Sequence, residues 1–118
     1  MDWKDDIELI RGNLSRKEAE RKTFLEKMRL QTKAAVILKL QAYFRKLSGC
    51  NVWLFGSIMH PYAFTSQSDI DIAVSGFPGS RLDLFPELEQ LLQRQIDLVM
   101  MEKSQIREII EEFGEKIV

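Results

Sequence analysis

The chain has 118 residues, a net charge of −1 and 45% apolar residues. That length bounds it to one domain with a single core, leaves no room for a separate acceptor-binding domain, and with this charge balance excludes a disordered chain. No apolar stretch approaches the ~20 residues of a membrane span, the acidic start Met1-Asp2-Trp3-Lys4-Asp5-Asp6 is unlike a secretory leader, and a lone Cys50 excludes an intrachain disulfide or a cysteine-based zinc cage, so the expected location is the cytoplasm.

From the N-terminus, Asp2 to Arg11 suits a short helix with Trp3, Ile7 and Ile10 on one side and Gly12 placed to end it. Ser15-Arg16-Lys17-Glu18 has the form of a capping box, so a second helix is expected to start there, with no Gly or Pro until Gly49. A continuous helix of that length would run roughly 45 to 50 Å, beyond the ~28 Å diameter of a compact domain of this size, so part of it must project or bend. Its second half, around Ala34 to Leu40, is apolar almost all round and is expected on the sheet. Phe24, Met28, Ala35, Leu38 and Ala42 form one stripe interrupted by Gln31. It reads first as core contact, with a helical partner or a homo-oligomer seam as the alternative. Residues 15 to 46 carry a net charge of +7 and residues 47 to 118 a net of −6. This basic arm reads first as a solvated face complementing the acidic body, ahead of a contact with nucleic acid or an acidic partner.

Cys50 fits as a small residue at the mouth of the first strand, Asn51-Val52-Trp53-Leu54-Phe55, and Gly56-Ser57 forms the turn that follows. Ile58 to Gln67 is a polar and aromatic loop in which His60 is expected to have a local role. The second strand, Ser68-Asp69-Ile70-Asp71-Ile72-Ala73-Val74, places Asp69 and Asp71 on one face and Ile70 and Ile72 on the other. Two carboxylates converging in a half-buried strand need a cation or a shared proton, and hard divalent cations take such oxygen ligands. After a loop rich in breakers at 75 to 80, Leu82 to Leu92 suits a helix with Leu84, Phe85, Leu88, Leu91 and Leu92 inward and Pro86 in its first turn. Gln95 to Met101 reads as a buried strand whose only charge is Asp97, a carboxylate that desolvation penalises unless it faces a cleft or a metal. Three acids on two strands beside a Gly-Ser turn are the parts of two-metal phosphoryl chemistry.

At Gly56, Ser57, Asp69, Asp71 and Asp97 the chain resembles the polymerase-beta-like nucleotidyltransferases, above all the minimal nucleotidyltransferases (MNT proteins) that act as antitoxins beside helical HEPN toxins. The resemblance implies an α+β fold, a mixed β-sheet flanked by helices, with 51–118 as the catalytic core, 1–47 as a helical N-terminal extension, and both in one domain. In that pattern Ser104 to Phe113 is the closing helix and Glu115 to Val118 begins a short last strand. It implies two Mg2+ ions held by Asp69, Asp71 and Asp97, and a nucleoside triphosphate, ATP by preference, cradled by Gly56, Ser57 and Ser68. AMP would pass to a hydroxyl of a HEPN-type toxin, with neither membrane nor nucleic acid as partner. Two departures stand out: relatives commonly carry Arg-x-Arg-Gly after the Gly-Ser pair where this chain has Ile58-Met59-His60-Pro61, and its Ser57-to-Asp69 spacing is one residue longer. No Lys or Arg occurs between Lys46 and Arg81. The alternative is therefore a catalytically weak or inactive module of the same fold that neutralises a helical partner by binding.

Overall fold

In the computed structural model, which describes residues 2–118, the chain begins with one helix, α1 (Trp3–Phe44), of 42 residues. Asp2 caps it by accepting the Lys4 N–H at 3.3 Å, and Asp5 and Asp6 in the first turn complement its dipole. The expected break at Gly12 and the second start at Ser15 are not formed. A glycine inside a helix costs only about 1 kcal/mol relative to alanine, and here the chain continues through it. Glu18 does not close a capping box; it pairs with Lys22 at 3.8 Å, next to an Arg16–Glu20 pair at 3.9 Å.

The remaining elements are β1 (Asn51–Phe55), a 3₁₀ turn (Gly56–Met59), β2 (Ile70–Ser75), α2 (Arg81–Leu92), β3 (Ile96–Met100), a 3₁₀ turn (Met101–Lys103), α3 (Arg107–Phe113) and β4 (Glu115–Lys116). The sheet order is β3-β2-β1-β4, with β1 antiparallel to β2 and β4, and β2 parallel to β3. This is the mixed sheet flanked by helices that the sequence led one to expect. Cys50 is buried at the start of β1. Helix α2 starts at Arg81, capped by Ser80, so Pro86 lies in the second turn rather than the first. Its missing N–H there removes the partner of the Leu82 carbonyl.

Strand alternation divides the sheet into two faces. Val52, Leu54, Ile70, Ile72, Val74, Ile96 and Leu98 pack against Val36, Leu40 and Phe44 of α1 and Leu84, Leu88 and Leu92 of α2. Each such side chain contributes roughly 1.5–3 kcal/mol through burial. The other face holds Ala73 with Met101 and Ile110, and Trp53, Phe55 and Val99 around them. The odd-numbered acids of β2 and β3 fall on this second, α3-bearing face.

Only the second half of α1, from Leu25 on, is covered on one side. Every described residue from 2 to 24 is exposed, and the long axis of the molecule reaches 71 Å. The stripe expected to pack on the core points away from it: Phe24 is 66% exposed, Leu38 is 68% exposed, and only Met28 is partly covered. The sheet takes the face bearing Arg29, Val36, Leu40 and Phe44 instead, and Leu38, two residues past Val36, lies about 200° further round. No helix of the described residues is long and apolar enough to cross a membrane.

Candidate active site

Gly56 begins the turn after β1 with φ +76°, the left-handed conformation that L side chains rarely adopt. A second constraint acts on the same atom. A Cβ at Gly56 would fall on Oδ2 of Asp71, so the backbone here is held against that carboxylate. Ile58 is fully buried and anchors the turn, and the Ser57 carbonyl accepts the His60 N–H at 3.1 Å.

The three acids are assembled by register. Phe55 pairs with Asp71 across β1 and β2, and Asp71 pairs with Asp97 across the parallel β2–β3 ladder. Asp97 therefore stands beside Asp71 on the neighbouring strand. It lies on the edge strand and is exposed, whereas Asp71 is half-buried and Asp69, just ahead of β2, is exposed. Burial, then the charge of Asp97, then that of Asp69, push the Asp71 carboxyl up to about 6. The ion pairs among the described residues join other groups and leave all three acids without a cation.

A hard divalent cation fits this donor set, because it supplies the charge that Asp71 lacks and takes carboxylate oxygens. The set is not a closed cage. Among the described residues no three His, Cys, Asp or Glu side chains already converge on one point, so an ion and its phosphate ligands would draw these carboxylates together. Ser68 is placed differently from the other expected contacts. Its hydroxyl accepts the Thr65 N–H at 3.0 Å and lies 3.3 Å from the Thr65 hydroxyl, closing its own turn.

Two arginines that the sequence did not single out hold the loops of this site. Arg94 donates to the carbonyls of Thr65, Ser66 and Ser68 at 3.0, 3.4 and 2.9 Å and stacks on Phe64, so it fixes the segment leading into Asp69. Arg29 of α1 is buried and donates to the Ile58 carbonyl at 2.9 Å while Glu26 grips its other nitrogens, and Glu26 also accepts the Tyr62 N–H. The guanidinium holds the Glu26 carboxyl below its usual range. Neither arginine was distinguishable from the surrounding polar sequence, because their carbonyl partners lie 26 to 29 residues away.

Gly56 and His60 also border an apolar cavity of about 320 Å³ walled by Ile106, Ile109 and Phe113. A larger cavity, about 660 Å³, lies along β3 beyond Asp97 and includes Arg81 and Lys103. None of the three acids lines either space; Gly56 borders the smaller one, and in the larger one Arg81 is committed to the Leu98 carbonyl and the Phe85 ring.

A family model described as Polymerase beta, Nucleotidyltransferase matches residues 38–118 of the chain. A solved crystal structure of a mutant toxin–antitoxin MntA–HpeT superposes with a TM-score of 0.56 at 20% identity, over 70% of this chain and 71% of that one. At that identity the likeness speaks for the fold. No curated protein matches.

Proposed function

The chain belongs to the polymerase beta nucleotidyltransferase family, and from that premise we propose that it transfers a nucleoside monophosphate, AMP from ATP, to a hydroxyl of a helical HEPN-type partner protein, as an antitoxin does. The observation that carries this is the row Gly56, Asp71, Asp97: a backbone without a Cβ, pressed against a half-buried carboxylate that has a second carboxylate in register beside it.

The Gly56 backbone leaves room for the terminal phosphates, and the Ser57 hydroxyl and neighbouring N–H groups donate to them. Asp69, Asp71 and Asp97 would hold two magnesium ions, which would supply charge neutralisation to the triphosphate and acidity to the acceptor hydroxyl. The acceptor oxygen forms its bond to the α-phosphorus as the bond to the bridging oxygen of pyrophosphate breaks, and Asp97, the most accessible of the two paired acids, takes the hydroxyl proton. Ile106, Ile109 and Phe113, all exposed beside the turn, suit an acceptor presented on a protein surface.

Incubation with a candidate partner, magnesium and ATP labelled at the α-phosphate is expected to label the partner, and Asp69→Asn to abolish the label. Equal labelling with and without Asp69 rejects the mechanism. A second reading has its own support: Arg29 and Arg94, the guanidiniums that hold the loops, are spent on backbone carbonyls and are not free for a triphosphate. On that reading the fold neutralises its partner by occlusion, and Asp71→Asn would neutralise as well as the parent.

A further inference from the structure

Because α1 is one uninterrupted helix, two apolar segments that look separate in the sequence join into a single row. Steps of four and three residues run through Trp3, Ile7, Ile10 and Leu14 and resume at Phe24 and Met28, ending at Ala35, Leu38 and Ala42. Lys17, Arg21 and Gln31 hold the three remaining places. This is a heptad sustained over the whole helix, with 7, 14, 21, 28, 35 and 42 as one core position and 3, 10, 17, 24, 31 and 38 as the other. Apart from Met28, which is partly covered, the body of the protein leaves it exposed: the sheet contacts the opposite side of α1, and Trp3, Ile10 and Leu14 are each more than half exposed.

We propose that this row is a dimer seam, and that two copies of the chain pair antiparallel along the full length of α1. The choice of occupant and direction comes from the row's own composition. Side by side and parallel, two copies would stack Lys17 on Lys17 and Arg21 on Arg21 in successive layers. Turned end for end about the point between Lys22 and Thr23, residue n of one copy meets residue 45 − n of the other, and the conflict disappears. Lys17 then meets Met28, and Arg21 meets Phe24, an arrangement in which the long stems lie on apolar surface and the guanidinium over a ring. Large residues meet small ones, Trp3 with Ala42 and Ile10 with Ala35, while Ile7 meets Leu38.

Charge selects the same direction. Residues 31 to 46 contain four bases and no acid, whereas residues 2 to 14 contain Asp2, Asp5, Asp6 and Glu8 against two bases, so reversal lays an acidic end along a basic one. It also opposes the helix dipoles. In the flanking positions Glu20 faces Lys27 of the second copy twice. Lys4 faces Lys39 at the solvated ends, where repulsion weighs little. The inference is independent of the chemistry proposed above and survives if the site proves inactive.

Sedimentation equilibrium of the full chain at micromolar concentration is expected to give twice the 13.8 kDa chain mass. Phe24→Glu, at an exposed site that leaves the catalytic body folded, is expected to weaken association at least tenfold. Ile7→Cys with Leu38→Cys in one chain is expected to cross-link two copies under oxidation, and Leu38→Cys alone to stay uncross-linked. A single-chain mass at every concentration, association untouched by Phe24→Glu, cross-linking through Leu38→Cys alone, or pairing only with a different helical protein each overturns the proposal.

Discussion

Asp71 rests one carboxylate oxygen where the side chain of any residue other than glycine at position 56 would begin. The turn and the half-buried acid are thus one unit: the left-handed backbone of Gly56 aims the turn, and the missing Cβ lets the carboxylate reach it. Gly56→Ala is expected to displace Asp71 and add backbone strain of roughly 1–3 kcal/mol. Thermal melting should fall with it, and transfer of labelled nucleotide should drop by about 100-fold or more, as displacement by 1 Å does elsewhere. Parent-like transfer in a folded Gly56→Ala chain would remove the turn from the site.

The raised Asp71 carboxyl has a consequence for stability. With the folded value at about 6, above the ordinary carboxylate range, the native chain holds a proton that the unfolded chain has already lost between about pH 4 and 6. Without a divalent cation, stability should therefore decline as pH rises through that window and stay lowered above it. The loss should be roughly 1–2 kcal/mol once solvent screening is allowed for. Denaturant titrations with chelator at pH 5 and pH 8 test this. Asp71→Asn should be the more stable chain at pH 8, and magnesium should stabilise the parent there but not the variant.

Asp97→Asn separates the two roles of that acid. Loss of the proposed proton acceptor should lower transfer by about 10²–10⁴-fold. Loss of its charge should at the same time bring the Asp71 midpoint down from about 6, read by carboxyl-carbon NMR. An unmoved midpoint would mean that the two side chains diverge in solution.

Arg94 is expected to matter through the loop it holds. Arg94→Ala abandons three carbonyls and the Phe64 ring, at about 1–3 kcal/mol in melting experiments. Because Asp69 follows that loop, KM for the nucleotide should rise more than kcat falls. Arg94→Lys should not restore either, since an ammonium cannot reproduce the planar fork stacked on a ring. Full rescue by lysine would show that charge alone is what the site uses.

Much of the site is local in character and was legible residue by residue. Alternation put Asp71 on the face opposite Ile70 and Ile72, and burial of those two isoleucines matches it. The helix expected over 82–92, observed from Arg81, and its inward leucines follow from periodicity in the same way. The errors have equally definite causes. Gly12 does not end the helix because its helical penalty is small, and the Ser15–Glu18 signature lies in an ordinary helix interior, the cap being Asp2 upstream. The stripe through Phe24 and Leu38 was correct in its periodicity and misassigned in its surroundings.

The order of residues along the chain determined on its own the strands, the helix that begins beside Ser80, the face that Asp71 takes opposite Ile70 and Ile72, and that a glycine and serine lead the turn, because each depends on neighbours two to four residues apart. Tertiary structure alone decided that Asp97 stands beside Asp71, that Arg29 and Arg94 are spent on distant carbonyls, and that the long helix keeps its apolar row uncovered. Strand register and the rotational setting of a helix on a sheet are chosen by packing between residues far apart, and periodicity within a segment is the same for every such choice.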